Sequence, residues 1–559
     1  MHNALRSFGR FRRDQRGNIA VIFAVACVPL ISAIGCAVDY SLATRMKAKL
    51  QAAADAASVA AISKRSPGFI AAAAMTGNGS VTAGVTDANN VFDGDMSTIS
   101  GYTNLSRTST VTKTGVKLNS SVQFSADVPV TFMKIIGYQY LTVTGRSSSS
   151  SSLPPYLDFY LTLDVSSSMG LPSTPAEAVR MQAVNPDNWV QYRSGCTLAC
   201  HFSPRNSACT DPPVTSPTNP NSNPATNAGY TQQYNTNGYC MGYVFSRVSQ
   251  SALTSLINLA STPSLQKQRP GLPTAMLPNL TTAVNGSPNS LLTGNSSSMP
   301  TSLPAVQTCP NEGTDACIQL RLDAVGYAVT QLLATANQKQ VVTNQFRIGL
   351  YPFIRFLNSN YFPLTTTING SPTTPGTINY AAANLAALLD TNTDANLGSG
   401  GTHIDAALNS VNSLIINVGT GSSPTSTQPY VFLVTDGAQD NQVKGVPNGS
   451  WSGSNHATVL TDALNSYPSA CATLKSRGVI VSVLYIPYQP INPVNTVFAG
   501  NEDTYANNNI PNIPASLQGC ASPPDAAGSY FYTANSPAEI NASLTAMFNH
   551  SIQTAHITN

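Results

Sequence analysis

From Ile19 to Val38 the chain passes through 20 residues without a charge, IAVIFAVACVPLISAIGCAV. That is long enough to cross the hydrocarbon layer as a helix. Past it, Leu42, Met46 and Leu50 recur four residues apart, and LQAAADAASVAAIS is dense in the strongest helix former. A single helix is therefore predicted from about Asn18 to Ser63, projecting well beyond a bilayer. The period then changes. VKLNSSVQFSADVPVTFM (116–133) and YLTVTGRS (140–147) alternate apolar and polar positions, which predicts half-buried strands behind the helix in a small α+β stalk. The run Ser148–Ser152, followed by Leu-Pro-Pro, reads as a flexible joint.

Beyond the joint the strands become apolar on both faces. Leu157, Phe159, Leu161 and Leu163 alternate with Tyr156, Asp158, Tyr160 and Thr162, and both sets are bulky, as a central strand requires. Helical and strand signals then alternate. CIQLRLDAVGYAVTQLLATAN (317–337) reads as a helix, FRIGLYPFI (346–354) as a strand, THIDAALNSVNSLI (402–415) as a helix and YVFLVTDG (430–437) as a strand. HATVLTDALNSYPSACATLKSRG (456–478) and VIVSVLYIPY (479–488) give another such pair. SYFYTA (529–534) and SPAEINASLTAMFNHSIQ (536–553) close the series, with Ser536 as N-cap and Pro537 at the first helical position. This order predicts an α/β fold, a doubly wound and mainly parallel sheet with helices on both faces. The resulting division is a leader (1–17), a membrane helix (18–38), a stalk (39–155) and an α/β unit (156–559) carrying an insertion at 171–316.

Charge orients the apolar run. Arg6, Arg10, Arg12, Arg13 and Arg16 precede it against the single Asp14, which places the N-terminus in the cytoplasm. The bulk of the chain then belongs to the periplasm or the cell envelope, single-pass from a bacterial inner membrane. Arg45, Lys47 and Lys49 follow on the far side. Cleavage as a signal peptide, or before Cys36 in the manner of a lipoprotein, is the alternative to a permanent anchor. Only 9% of residues are charged and the net charge is +3, with no basic patch beyond the leader, which argues against nucleic acid as a partner.

Cys27 and Cys36 fall in the apolar run. Cys196, Cys200, Cys209, Cys240, Cys309, Cys317, Cys471 and Cys520 all follow it, an even number that an extracytoplasmic chain can pair into as many as four disulfides. Cys196, Cys200, His201 and Cys209 could instead gather soft ligands for zinc. The rest of the insertion is polar with aromatic residues interspersed, a composition that fits either a recognition surface or a disordered decoration.

The chemistry concentrates at two strand ends and one helix start. Asp164, Ser166 and Ser168 close LDFYLTLDVSSSMG (157–170), Thr402 sits in GSGGTHIDAALNSV (398–411), and Asp436 follows the apolar run of 430–437. All five side chains offer oxygen and none offers imidazole or thiolate, which favours Mg²⁺, Mn²⁺ or Ca²⁺ over zinc. Two carboxylates and three hydroxyls do not enclose such an ion completely. The Asp-x-Ser-x-Ser, Thr and Asp elements, in this order and local context, resemble the metal-ion-dependent adhesion site of von Willebrand factor A domains. That resemblance implies serines and threonine on the metal, aspartates acting largely through water, and an open position filled by an acidic side chain of a protein partner. Ser166 and Ser168 have no adjacent base, and no catalytic signature occurs elsewhere, so an enzyme is not expected.

The amino-terminal order of Arg-rich leader, GNIAVIFA and VDYSLATRMKAKLQAAADAASVAA resembles TadG-like pilus-assembly proteins of the Tad/Flp type. It implies pilin or other assembly components as partners. Ile22 stands where processed pilins carry Glu, which argues for an uncleaved anchor. The spacing of Cys471 and Cys520, one in a helix and one ahead of the last strand, also resembles the TadG-type pattern. The sheet order would bring that helix and that loop to one edge, and the resemblance implies that the two cysteines pair. The alternative is that each pairs with the insertion.

Overall fold

The computed structural model describes residues 17–184, 308–314, 317–390, 394–445, 451–453, 456, 458–460, 469–488, 490 and 502–557. The chain divides into two compact units, Met1–Leu153 and Pro154–Asn559.

In the first unit a 44-residue helix, α1 (Gly17–Ala60), runs through the apolar segment and continues past it. It contains Pro29. Its first part is long and apolar enough to cross a membrane and leaves Ile22, Phe23, Val28, Ile31 and Ile34 exposed. From Ala43 onward the same helix buries one stripe, Met46, Leu50, Ala53, Ala54 and Ala57. The small alanines let it lie close on its neighbours. Helices α2 (Pro67–Ala74) and α3 (Thr82–Met96) follow, with the short β1 (Gly79–Ser80) between them. An antiparallel sheet in the order β1-β2-β3-β4 is completed by β2 (Thr103–Thr114), β3 (Lys117–Pro129) and β4 (Tyr140–Ser152).

The serine run corrects one expectation. Ser148–Ser152 is the end of β4, paired in register with Lys117–Ser121. Ser149 of this run and Ser147 just before it find a partner on the helix: Ser58 Oγ lies 2.9 Å from Ser147 Oγ and 2.8 Å from Ser149 Oγ. Composition alone reads as flexible, but a serine row that can bond to a helix behaves as a strand.

In the second unit β5 (Leu157–Asp164) is buried along its whole length. It lies at the centre of a six-stranded sheet with β6 (Phe346–Phe353), β7 (Phe362–Thr365), β8 (Gln428–Thr435), β11 (Ile480–Tyr485) and β12 (Phe531–Thr533), in the order β12-β11-β8-β5-β6-β7. All neighbours run parallel except β7 on β6. Residues Val443–Lys444 (β9) and Trp451–Ser452 (β10) form a separate small hairpin. Phe159, at the middle of β5, packs against Tyr430, Phe432, Phe346 and Phe548, all buried. Aromatic groups from three strands and the last helix thus meet on one face.

The helices are α4 (Pro175–Val184), α5 (Arg321–Lys339), α6 (Ile378–Ala383), α7 (Ile404–Leu414), α8 (Ala470–Ser476), α9 (Glu502–Asn509), α10 (Ile513–Cys520) and α11 (Pro537–Ile557). Five differ from expectation, α6 being one with no helical signal ahead of it. The chain forms α4 within what reads as the start of the insertion. The helix expected over 456–478 is limited, among the described residues, to α8. Ser469 caps α8 by accepting from Ala472 N at 3.0 Å. The stretch before Cys520 reads as a polar loop, yet it contains α9 and α10, whose Asn and Pro residues hide the helical signal.

Cys471 and Cys520 form a disulfide between α8 and α10, with Cα atoms 5.1 Å apart. Cys309 and Cys317 form another. Cys196, Cys200, His201, Cys209 and Cys240 lie outside the described residues, as does most of 171–316. The two ends of that segment are pinned together by Glu177, which is fully buried. It accepts from Gly313 N at 2.9 Å, Gln319 N at 2.6 Å and Arg180 Nη1 at 2.6 Å.

Candidate functional site

Because β5 and β8 pair in parallel, with Leu163 opposite Val434, the residues leaving both strands emerge side by side at the sheet's carboxyl edge. Asp164 ends β5 and Asp436 follows β8 directly. Thr435 Oγ1 donates to Asp164 Oδ2 at 2.6 Å, tying the two strand ends together. Ser166 N donates to Asp164 Oδ1 at 3.0 Å, which turns the loop back over the strand. Ser166 and Ser168 present their hydroxyls 3.2 Å apart. Asp164, Ser166 and Asp436 are all at most 1% exposed.

Asp436 has an unusual environment. Neither of its carboxylate oxygens accepts a hydrogen bond of acceptable geometry. Buried carboxylates are nearly always bonded, so such an orphan calls for a partner. Its nearest cation is Arg321, the first residue of α5, with Nη1 at 3.6 Å from Asp436 Oδ2. Arg321 is itself buried and donates from Nη2 to Pro487 O at 3.2 Å. Asp323 fixes the start of α5 by accepting from Leu320 N at 2.9 Å.

Thr402 reaches the same edge on another loop. It stands two residues before α7, so His403 rather than Thr402 holds the cap position. Its backbone exchanges two hydrogen bonds with Asp440, at 2.9 and 3.0 Å, four residues after Asp436. That approach needs Gly401. The residue has φ 67°, and a Cβ there would lie 2.2 Å from Asp440 O. Among the described residues no hydrogen bond joins Thr402 to the other four. His403 is half-buried, with Nε2 3.1 Å from Gln442 O.

The electrostatics follow from burial. Burial and the charge of neighbouring Asp436 push the Asp164 carboxyl above the usual range, against the bonds from Ser166 and Thr435. Burial also raises Asp436, offset in part by Arg321 and the nearby Ser168 hydroxyl. Asp440 is raised for the same reason. Two like charges in one dry site are each unfavourable without a cation. The sequence reading missed Arg321 and Thr435. Arg321 was detectable as a charge set between Leu320 and Leu322 at positions a helix buries. Thr435 looked like one more strand residue.

The donor set therefore fits a hard divalent ion: two carboxylates, three hydroxyls, no soft ligand, and orphan oxygens where charge is missing. Asp164, Ser166, Ser168 and Asp436 are gathered at one point, and Thr402 stands on the adjoining loop.

Residues 17–75 match the family described as putative Flp pilus-assembly TadE/G-like. That match covers 59 of the 559 residues. No curated protein gives a significant match to the chain. Among solved structures, the chain is similar to proximal thread matrix protein 1 from the mussel byssus, solved with a zinc-occupied MIDAS motif. The identity is 15%, covering 41% of this chain and 43% of that one, with a TM-score of 0.23. The vWF domain of the type V pili tip protein Mfa5 from Porphyromonas gingivalis is 12% identical over 43% of this chain and 89% of its own, TM-score 0.24. The PilB minor pilin from Streptococcus sanguinis is 8% identical over 81% and 78%, TM-score 0.28. At these scores the likenesses carry no weight for the site.

Proposed function

We propose that the chain is a membrane-anchored envelope component of a Tad/Flp-type pilus-assembly system, and that its second unit is a von Willebrand factor A domain with a metal-ion-dependent adhesion site. In this reading Ser166, Ser168 and Thr402 hold Mg²⁺, or Mn²⁺ or Ca²⁺, directly. Asp164 and Asp436 hold it largely through water. The bound ion supplies an electrophilic position for a carboxylate, so the ligand is a protein partner with an exposed acidic side chain, a pilin or another assembly component.

The observation that carries the reading is Asp436: a fully buried carboxylate whose oxygens accept no hydrogen bond of good geometry, beside Asp164 and two serine hydroxyls at the carboxyl edge of a parallel sheet. A residue kept only for packing would be bonded or replaced. A second reading is favoured by Arg321, whose guanidinium already offsets part of the charge. There the metal stiffens the loops and the stalk and insertion make the contacts. Titration calorimetry of the full chain in detergent with MgCl₂ and MnCl₂ tests the shared premise. One dominant site is expected, and no saturable heat with either ion would overturn both readings. Capture of an acidic peptide surface that chelator abolishes selects the first over the second.

A further inference from the structure

The tip between β3 and β4 is apolar and exposed. Phe132, Ile135, Ile136, Tyr138 and Tyr140 are each at least 40% exposed, Ile135 reaching 69%, with Lys134 among them. A soluble loop of this composition is an oddity, since a tight turn on a strand pair is normally polar. Its position explains it. The tip is fastened to α1 at the end of the apolar run. Asp39, the first charge after that run, accepts from Thr131 N at 3.0 Å, Phe132 N at 2.8 Å and Met133 N at 2.7 Å. Phe132 lies against Gly35 so closely that a Cβ on Gly35 would come within 2.4 Å of its own Cβ. With a rise of about 1.5 Å per residue, Gly35 sits roughly 4–5 Å inside the end of the run at Val38. A bilayer crossed by the apolar run would bring its hydrocarbon boundary to the level of this tip.

We propose that the 132–140 tip is a second membrane contact, an interfacial foot inserted into the outer edge of the same bilayer that α1 crosses. The side chains match that depth. Phe132, Ile135 and Ile136 face acyl chain ends, Tyr138 and Tyr140 occupy the headgroup level where tyrosine is enriched, and the Lys134 ammonium reaches lipid phosphate. Asp39 is tolerated there because three backbone N–H groups satisfy its carboxylate without water. Each of those N–H groups is in turn satisfied in a place that lacks water to spare. The exposed apolar surface of α1, from Ile22 to Val38, continues directly into the tip, so one lipid phase covers both. A foot set beside a single span fixes the tilt and rotation of the first unit on the membrane, which a lone helix does not.

The test places one tryptophan at a time in the full chain, with Trp189 and Trp451 changed to Phe, in proteoliposomes of phosphatidylethanolamine and phosphatidylglycerol. Ile135→Trp and Ile136→Trp report on the tip, with Tyr138→Trp as a second, milder probe. Ile31→Trp reports on the span. Val59→Trp, about 42 Å further along the same helix, reports on water. Lipids brominated near the headgroup should remove most of the emission at 135 and 136 and leave Val59→Trp unchanged. Water-like, unquenched emission at all three tip positions, while Ile31→Trp is quenched, overturns the foot and keeps the span. Blue-shifted emission that brominated lipid does not touch also overturns it, assigning the tip to another polypeptide. An unquenched Ile31→Trp removes the span itself and the proposal with it.

Discussion

At the amino end of β5, Asp158 receives Arg347 Nε at 2.7 Å and Nη2 at 2.5 Å, and Thr427 Oγ1 donates to it at 2.6 Å. At the carboxyl end of the same strand, Asp164 receives one backbone N–H and one hydroxyl, and its neighbour Asp436 receives no hydrogen bond of good geometry, with only the Ser168 hydroxyl and the Ala438 N–H nearby. The residue type, the strand and the burial are alike. The difference lies in what the surrounding sequence supplies. A fork-shaped guanidinium closes the first carboxylate by a bidentate contact. The second pair faces Arg321 at 3.6 Å, too far to close it and near enough to reduce its charge. One end of the strand is closed by a bidentate guanidinium, and the other keeps two carboxylates that no guanidinium closes.

The largest expected effect separates the two ends by metal binding. Asp436→Ala should lower Mg²⁺ or Mn²⁺ affinity at least about a hundredfold, roughly 2.7 kcal/mol, because a dication facing one carboxylate and neutral hydroxyls does not recover its dehydration. Asp158→Ala should leave that affinity within about twofold. Calorimetry on both proteins decides the matter, and equal losses for the two would erase the distinction.

Stability should reverse the ranking. Asp158→Ala leaves Arg347 without its partner, and breaking a buried pair costs about 3–5 kcal/mol. Arg347 is 39% exposed, so the loss should be nearer about 2 kcal/mol. Asp164→Asn in the presence of chelator should change stability by less than about 1 kcal/mol, since it also relieves repulsion with Asp436. Denaturant midpoints at constant m-value measure both, and a larger loss at Asp164 than at Asp158 would contradict the comparison.

These two ends were unequally legible in the sequence. Asp164, Ser166, Ser168, Thr402 and Asp436 could be read because each stands at an element boundary, where periodicity stops and an oxygen-bearing side chain follows. The alternation of buried strands and amphipathic helices likewise placed the sheet. Asp158 gave no signal, since its partner Arg347 is 189 positions away and both sit inside strands. Helices α9 and α10 were hidden by Asn and Pro, and the serine strand by a composition shared with linkers. Propensity is a local signal, whereas a hydroxyl row bonded to Ser58 is a tertiary one. Arg321 was detectable in the sequence as a charge between Leu320 and Leu322, but its partner was not, because that contact exists only once α5 is set against the end of β8.

Arg321 gives the smallest effect and the sharpest use of the comparison, because it is the weak counterpart of Arg347. If its guanidinium only dilutes the negative charge that a metal would meet, Arg321→Gln should tighten Mg²⁺ binding about tenfold, roughly 1.4 kcal/mol. The same change should destabilise the metal-free protein, since Asp436 then keeps no cation nearby while remaining fully buried. Thermal unfolding should therefore fall in chelator and recover with saturating Mg²⁺, giving a larger metal-dependent rise in Tm than the unmodified chain shows. The two readouts must move in opposite directions. Loss of metal affinity in Arg321→Gln, with stability unchanged in chelator, would mean that the guanidinium shapes the site rather than competing for it. Arg321 would then belong with Arg347 as a structural residue, and the contrast between the two ends of β5 would rest on Asp436 alone.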